Sequence, residues 1–342
     1  VLILRHGKQF PRVVGLVVEV GARRRIFLPI TRVTKIDVGQ VVTTGVLDLR
    51  RFKLRPAETL AVGELFDRTV QIRATGDSVK ILDLAMQQTD MLIKAYPNFR
   101  LAHLVKGDLL LARSRHLTAF GEGGGPAAGD KVADLRDEAI VRLKGYRSKP
   151  PADYVPRYLL QMHPEQKHAV VVDTQKSRLY LYQNDNGTPR FVADYYISQG
   201  KLGTEKAREG DKKTPIGVYH VTSSLPRQKL TDFYGSGAFP INYPNEWDKR
   251  QGRNGHGIWL HGTPSDTFSR PPKASDGCVV LANQDLDTLS KSLQVGLTPV
   301  IISNSIEWLS MDDWQSERSS LLKMIEEWRQ AWESRDVDQY AQ

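Results

Sequence analysis

The residues of this chain with the clearest chemical potential are its single cysteine, Cys278, and a histidine 17 positions before it, His261. A thiol becomes a strong nucleophile once a base or a local field converts it to the thiolate. A histidine that ends a strand and leads into a loop can lie over a cysteine on the neighbouring strand. Gly277 allows a tight turn and a close approach of substrate, and its amide and that of Cys278 form a candidate oxyanion site. The pattern predicts a cysteine nucleophile with His261 as its general base.

The same residues allow a purely structural interpretation. Cys278 begins the apolar run Cys278–Leu281, and free cysteines in proteins are more often buried apolar side chains than nucleophiles. With only HG at 261–262 and SDGC at 275–278 in view, the catalytic and structural interpretations are about equally supported. The surrounding sequence therefore has to decide between them.

Residues 165–305 show the most regular pattern in the chain. Alternating and apolar runs of strand length predict a domain that is mostly β with few helices. The predicted strands are Ala169–Asp173, Arg178–Gln183, Phe191–Ser198, Val218–Val221 and Thr298–Ser303, and a helix is predicted over Asn283–Leu293.

Four stretches of this region resemble, in order, the L,D-transpeptidase catalytic domain of the YkuD type. They read VVVDTQKSRLYLYQ, YYISQGKLGTEKAREGDKKTPIGVYHV, GIWLHGTPSD and ASDGCVVLANQDL. The resemblance implies a nucleophile at Cys278 and a base at His261, which the carbonyl group of Gly262 helps to orient. It also implies that Ser275 supports the turn and that Gly277 contributes to the oxyanion site. It implies no metal and no other cofactor.

The chain departs from the family pattern at two positions. Asp276, a candidate substrate contact, stands where the family commonly has histidine, and Val280 stands where it commonly has arginine. The missing arginine removes a clamp for a substrate carboxylate. Arg270, Lys273 and Arg253 are the candidate substitutes for it.

The implied reaction is acyl transfer on the peptide stems of bacterial peptidoglycan. Cys278 attacks the carbonyl of the third, diamino-acid residue of a tetrapeptide stem and expels the terminal D-alanine, while His261 accepts the thiol proton. An amine of another stem as acceptor makes the protein an L,D-transpeptidase. Water as acceptor makes it an L,D-carboxypeptidase that leaves a tripeptide. Tyr243 and Trp247, in a long loop rich in Pro and Asn, are candidates to line the substrate groove.

Three further segments flank the catalytic region. Residues 1–72 contain short β runs and resemble a PRC-barrel segment, which predicts a small N-terminal β barrel with a structural or interaction role. Residues 73–164 predict a helical hairpin, which is a candidate element for a homodimer, and Gly121–Gly129 reads as a flexible linker or lid. Residues 306–342 predict an amphipathic helix that resembles the start of a nuclear-transport-factor-2-like domain, cut short here. The combination resembles the L,D-carboxypeptidases that set helical cell shape.

Composition limits the classes of function. The 342 residues carry a net charge of +9 and are 40% apolar, which suits a folded core and an acidic partner such as a carboxylate-rich polymer. Arg23–Arg25 is interpreted as a solvated strand end, so nucleic acid is not an expected partner. One cysteine excludes an internal disulfide and a cysteine-based zinc finger. The opening residues VLILR lack the pattern of an export signal, although the implied location is the periplasm or cell envelope.

Two other classes of function stay open at this point. A metal hydrolase would use His256, His261, Asp266 and Cys278, but strand residues five apart face opposite sides, which makes the two histidines poor co-ligands. A non-catalytic envelope scaffold would leave the cysteine unused. Chelator-insensitive activity would exclude the metal hydrolase, and absence of thiol labelling at Cys278 would favour the scaffold.

Overall fold

A computed structural model gives the fold of the chain. It describes residues 2–5, 12–20, 24–37, 40–45, 48, 50, 52–53, 58–60, 76–125, 129–148, 150 and 153–335. The chain divides into two compact units, Val1–Leu82 with Leu110–Glu122, and Asp83–Leu109 with Gly123–Gln342. The predicted helical region 73–164 is thus divided between the two units.

The described residues form nineteen strands and six α-helices. The strands are β1 Leu2–Arg5, β2 Arg12–Val20, β3 Arg24–Pro29, β4 Val33–Asp37, β5 Gln40–Thr43, β6 Glu58–Leu60, β7 Tyr154–Pro156, β8 His168–Asp173, β9 Arg178–Asp185, β10 Thr188–Tyr196, β11 Gln199–Gly200, β12 Gly217–His220, β13 Leu225–Pro226, β14 Gly237–Pro240, β15 Trp259–His261, β16 Lys273–Ser275, β17 Val279–Val280, β18 Pro299–Ser303 and β19 Trp308–Ser310. The helices are α1 Gly76–Ala95, α2 Arg100–Ala112, α3 Gly129–Arg147, α4 Glu246–Arg250, α5 Asn283–Ser290 and α6 Met311–Ser334.

The first unit contains the short N-terminal strands that the sequence predicts. They form an antiparallel sheet in the order β3-β2-β1-β6 and a separate β4–β5 hairpin. Ile26 and Leu28 of β3 are buried. The predicted run Val46–Leu47 and the predicted turns at Gly21 and Gly39 lie outside the described residues. Within the part that is described, the strands form these two sheets and not a closed barrel.

The predicted pair of helices is confirmed as α1 and α2. Helix α3 was not predicted from the sequence. The predicted linker Gly121–Gly129 is only partly described, and one end of it is packed. The N–H of Gly123 donates to Asp108 Oδ1 at 2.7 Å. A Cβ on Gly123 would lie 2.7 Å from the Gly107 Cα, so glycine is required for this close approach.

Residues 165–305 fold as predicted. Strands β8, β9, β10, β12 and β18 cover the five predicted strands, and α5 covers the predicted helix but ends at Ser290. The five strands form one sheet in the order β10-β9-β8-β18-β12, in which only β8 and β18 are parallel. A second sheet has the order β13-β14-β15-β17, with β15 and β17 parallel.

The five-stranded sheet is buried on both faces because its residues alternate between two apolar clusters. Val170 and Val172 pack in the cluster that contains Leu260 of β15, so this cluster joins the two sheets. Val171 and Tyr182 pack on the other face with Trp314 of α6. Strands buried on both faces read as continuous apolar runs, which is why β8 is so evident in the sequence.

The C-terminal amphipathic helix is confirmed as α6. Its first turn is anchored, because Ser310 Oγ accepts from the Asp313 N–H at 3.1 Å and Trp314 Nε1 donates to the Leu159 carbonyl at 2.8 Å. Farther along, Trp328 and Trp332 are exposed. Among the described residues, no helix has both the length and the apolar character needed to cross a bilayer.

Candidate active site

His261 and Cys278 come from two adjacent parallel strands. The register pairs Leu260 of β15 with Val279 of β17, so Cys278 lies beside Trp259, just before β17 begins. Leu260 and Val279 both point into the apolar core. Because side chains alternate along a strand, Trp259, His261 and Cys278 share the opposite face. Two residues along and one strand across correspond to about 8 Å between the Cα atoms of His261 and Cys278.

Backbone groups hold the Cys278 thiol. Its Sγ donates to the Gly257 carbonyl at 3.3 Å. Burial raises the pKa of the thiol to about 11, and a hydrogen bond from the Trp259 N–H and the positive charge of Arg270 only partly oppose that effect. The residue nevertheless keeps partial solvent exposure. The thiol is therefore protonated at neutral pH in the free protein, and a base would have to accept its proton for it to act as a nucleophile.

His261 is buried, with 1% of its surface exposed. Burial lowers the pKa of its imidazole to about 4, and the nearby charge of Arg270 lowers it further, against the Gly262 hydrogen bond, which raises it. Nδ1 lies 2.7 Å from the Gly262 carbonyl oxygen. A carbonyl oxygen only accepts, so Nδ1 carries the proton and Nε2 has the free lone pair. The ring is thus neutral, with its Nε2 lone pair free to accept a proton.

Asn283, at the start of α5, fixes the backbone that orients His261. Its Oδ1 accepts from the N–H groups of Ser236 at 2.9 Å and Thr263 at 3.1 Å, and its Nδ2 donates to the Thr263 carbonyl at 2.9 Å. A Cβ on Gly262 would overlap Asn283 Oδ1. Gly262 is therefore required by its surroundings as well as by its carbonyl contact with the histidine.

A buried turn places the cysteine. Ser275 Oγ donates to the Cys278 carbonyl at 2.6 Å and accepts from the Gly277 N–H at 3.1 Å. Thr214 Oγ1 donates to the Gly277 carbonyl at 2.9 Å and accepts from the Gly200 N–H at 2.9 Å. Gly277 has φ +126°, and a Cβ there would lie 2.7 Å from the Lys213 carbonyl oxygen. The Gly277 N–H is thus already hydrogen-bonded within the turn. This leaves the Cys278 N–H as the simpler candidate donor to an oxyanion.

Aromatic rings form one wall of the site. The ring of Tyr234 lies 5.2 Å from that of His261 and 4.7 Å from that of Trp259, and the ring of Phe233 lies 5.8 Å from that of His261. These rings exclude water from the imidazole, which is the physical cause of its low pKa. Phe233 and Tyr234 were not predicted as site residues, although an adjacent aromatic pair in a loop was a usable signal.

Two of the predicted substrate contacts lie beside the cysteine. The half-buried Arg270 guanidinium stacks over the Phe233 ring at 4.7 Å and lowers the pKa of the Cys278 thiol. Asp276 is exposed and forms an ion pair with Lys201 at 3.1 Å. Both charges therefore border the site, and Asp276 has a partner of its own.

The structure places the other predicted contacts elsewhere or gives them other partners. Tyr243 is a core residue, with 5% of its surface exposed and its hydroxyl donating to the Asn254 carbonyl at 3.1 Å, so it does not line an open groove. Arg253 is bound to the buried Asp248 at 2.9 Å. Lys273 is exposed on β16.

A buried lysine near the cysteine was not predicted. Lys206 is 3% exposed and binds Asp211 Oδ1 at 2.8 Å and the Arg208 carbonyl at 3.0 Å. Its charge helps to lower the pKa of the Cys278 thiol. Nothing in the spacing of the segment GTEKAREGDKK marks this one lysine among its neighbours as buried.

The ligands proposed for a metal hydrolase are not brought together. His256 is exposed and lies 3.6 Å from Glu209, whereas His261 is buried beside the aromatic rings. Within the ranges that the structure describes, no three His, Cys, Asp or Glu side chains form a group able to hold a metal ion.

Comparison with known families identifies the domain that carries this site. Residues 167–302 match the L,D-transpeptidase catalytic domain, YkuD. The match includes both His261 and Cys278, and its limits lie close to the predicted 165–305.

Several solved structures are similar to parts of the chain. Bd1075 of Bdellovibrio bacteriovorus is 31% identical, over 55% of this chain and 67% of that chain, with a TM-score of 0.49. The helical cell shape determining protein Pgp2 from Campylobacter jejuni is 26% identical, over 60% and 68%, with a TM-score of 0.45. An L,D-transpeptidase (Yku) from Stackebrandtia nassauensis is 17% identical, over 58% and 89%, with a TM-score of 0.32. Because none of the three TM-scores reaches 0.5, the domain match over residues 167–302 is the comparison that bears on the class of this region.

The predicted identities of the flanking segments are not confirmed. The family that matches nearest to the N-terminal block is the actinomycetes SH3 domain, over residues 59–91, and not the PRC barrel. Residues 76–91 of that match lie in helix α1, whereas an SH3 domain is a small β barrel. The resemblance of the C-terminal helix to a nuclear-transport-factor-2-like domain is likewise unconfirmed. A comparison with curated proteins found no match.

Proposed function

We propose that the protein is a peptidoglycan L,D-transpeptidase that acts on tetrapeptide stems through a thioester at Cys278. The observation that carries the proposal is a buried neutral histidine whose Nδ1 is bonded to the Gly262 carbonyl, on the strand next to the cysteine. That arrangement suits acyl transfer and occurs within a domain of the L,D-transpeptidase family.

The low pKa of His261 and the high pKa of Cys278 determine how the first step starts. In the free protein both groups are neutral. The proton moves from Sγ to Nε2 of His261 as Sγ bonds to the carbonyl carbon of the diamino-acid residue. The carbonyl oxygen becomes an oxyanion next to the Cys278 amide. His261 then returns the proton to the nitrogen of the leaving D-alanine, and the thioester remains on Cys278.

The second step decides the reaction class. An amine of a second stem that attacks the thioester gives a crosslink, and water gives a tripeptide stem, which would make the protein an L,D-carboxypeptidase. Both acceptors use the same nucleophile and the same base. We propose the amine as acceptor and the cell envelope as the place of action, since that is where peptidoglycan stems are found. A non-catalytic scaffold is the remaining alternative.

The test is to incubate the protein with a disaccharide-tetrapeptide fragment and to identify the products by mass spectrometry. Loss of D-alanine with a crosslinked dimer supports the transpeptidase, and loss of D-alanine with tripeptide alone identifies the carboxypeptidase. The Cys278→Ala variant is the control and should leave the fragment unchanged. A folded wild-type protein that also leaves it unchanged would contradict the proposed function and favour the scaffold.

A further inference from the structure

Arg270 carries a positive charge that forms no ion pair with a described residue of the protein. Its guanidinium is half-buried, and burial lowers its pKa. Among the residues that the structure describes, no acidic side chain lies within ion-pair distance of it and no group accepts a hydrogen bond from it. Removing a cation from water without a partner is unfavourable, so an unpaired guanidinium in this position requires another explanation.

Three other cations of this region are already paired. Lys206 binds Asp211, Lys201 binds Asp276 and Arg253 binds Asp248. Arg270 differs from these three, because its guanidinium is half-buried against Phe233 and keeps its hydrogen-bonding capacity for a ligand. Asp276 raises the pKa of Arg270 through space, but no direct contact joins them.

The position of the guanidinium is fixed from two sides. The guanidinium lies 4.7 Å over the centre of the Phe233 ring, and this stacking fixes the plane of the guanidinium. Tyr196 donates its hydroxyl hydrogen to the Arg270 carbonyl at 2.8 Å, which fixes the backbone. A planar guanidinium held in this way presents two parallel N–H groups, the geometry that matches a carboxylate.

The helices of the second unit hold the loop that carries Arg270. Ser269 Oγ donates at 2.6 Å to Glu138 of α3, whose carboxylate is 1% exposed and also accepts from Arg142 at 2.8 Å. The neighbouring Phe268 ring lies 4.3 Å from the ring of Phe99. A buried carboxylate on a separate helix thus anchors the residue next to Arg270.

We propose that Arg270 binds the free carboxylate of the terminal residue of the donor stem, and that Glu138 is a positioning residue for it. The inference rests on the proposed function. In the stem, the terminal carboxylate carbon is three bonds from the scissile carbonyl carbon, which is under about 4 Å. A carboxylate held by Arg270 therefore places the scissile bond near Cys278. Arg270, on a different loop, thus replaces the arginine that the family commonly has at position 280. The enzyme is then specific for stems whose terminal carboxylate is free.

The test compares wild type with Arg270→Gln on three substrates: the tetrapeptide fragment, its terminal amide, and a fragment amidated at the side-chain carboxylate of the diamino acid. We expect Arg270→Gln to raise KM for the free tetrapeptide about 10- to 100-fold, because charged hydrogen bonds are lost. On the terminal amide, wild type and variant should become equal. Arg190→Gln, on the exposed edge strand β10, makes the same charge change and should behave as wild type.

Other outcomes overturn the assignment. A KM effect that persists on the terminal amide but disappears on the side-chain amide would show that Arg270 binds the diamino-acid carboxylate instead. An equal rise in KM on all three substrates, or no rise on any of them, would show that Arg270 does not recognise a carboxylate. Binding of the tetrapeptide to Cys278→Ala, with and without Arg270→Gln, is measured by calorimetry. Binding that depends on Arg270 would support the carboxylate site even if no turnover is found, and absent binding would end both proposals.

Glu138 is tested through the same specificity. Glu138→Ala should raise KM for the free tetrapeptide and leave that for the terminal amide unchanged, and Ser269→Ala should do the same. Glu138→Gln keeps an acceptor for Ser269 and should recover most of the loss. If Glu138→Ala lowered activity equally on the free acid and the amide, its role would be general stability and not the position of Arg270.

Discussion

The five-stranded sheet and the turn around Cys278 are both buried, but different forces hold them. Val170, Val172 and Leu181 of the sheet are held by apolar packing between two layers. The turn is held by hydrogen bonds of Ser275 and Thr214 to backbone groups, in space that only glycine fits. The pattern of apolar side chains determines the structure of the sheet, and backbone geometry determines the structure of the turn.

This difference predicts that changes in the two regions separate stability from activity. Apolar packing is non-directional and tolerates small shifts, so its loss reduces the amount of folded protein. Hydrogen bonds that orient a nucleophile and a base are directional, so small displacements there reduce the rate of each folded molecule.

The largest effect is expected from His261, the proposed base. His261→Gln removes the acceptor for the thiol proton, and D-alanine release from the tetrapeptide should fall by about 10²- to 10⁴-fold. The measurement is kcat by product analysis, with circular dichroism as the check that the fold is unchanged. Unchanged kcat in a folded variant would show that another group takes the proton.

The sheet should show the opposite behaviour. Leu181→Ala removes a buried side chain from the core between the sheets and should lower the free energy of unfolding by about 2–5 kcal/mol. Activity per folded molecule, measured by titrating reactive Cys278, should stay within a factor of a few of wild type. A loss of kcat as large as that of His261→Gln would show that the sheet determines activity as well as stability.

The pH dependence of stability gives a further test of the site, because burial lowers the pKa of His261 to about 4. An unfolded chain protonates His261 below about pH 6.5, whereas the folded chain keeps it neutral down to about pH 4. Stability from this residue is therefore fully present above pH 6.5 and is lost as the pH falls towards 4, by about 3 kcal/mol.

Denaturant unfolding of wild type and His261→Gln at pH 7 and pH 4.5 measures this contribution. The drop in the free energy of unfolding should be larger in wild type than in the variant, since carboxylates titrate equally in both. Equal drops would mean that His261 has an ordinary pKa and an exposed ring.

A smaller loss of stability is expected from the turn. Thr214→Val keeps the shape of the side chain but leaves the Gly277 carbonyl and the Gly200 N–H without their partner, which should cost about 1–3 kcal/mol. It should also lower kcat, since Gly277 precedes the nucleophile. Thr288→Val, at an exposed position of α5, is the matched control. A full loss of stability with unchanged kcat would contradict the directional role of the turn.

The same difference decides how much the sequence could predict. Strands β8, β9 and β18 were predictable because apolar residues at strand length mark burial, and helices α1, α2 and α6 because of their apolar spacing. Helix α3 escaped prediction because few apolar residues mark its buried face; Glu138 occupies a buried position through its bonds to Ser269 and Arg142.

For the site, the motif residues were predicted and their surroundings were not. His261, Gly262, Ser275, Gly277 and Cys278 occupy one local structure. The pairing of Lys206 and the stacking of Arg270 on Phe233 depend on loops distant in sequence. No local sequence pattern indicates those contacts. For the same reason Tyr243 was predicted to line the substrate groove, although it lies in the core.

Intact-protein mass spectrometry of the reaction with the tetrapeptide fragment, quenched with acid within seconds, shows whether Cys278 is the nucleophile. We expect an adduct on Cys278 with the mass of the fragment minus D-alanine, which accumulates in wild type and is absent from Cys278→Ala. Release of D-alanine by Cys278→Ala, or an adduct on any other residue, would contradict the assignment of Cys278 as the nucleophile.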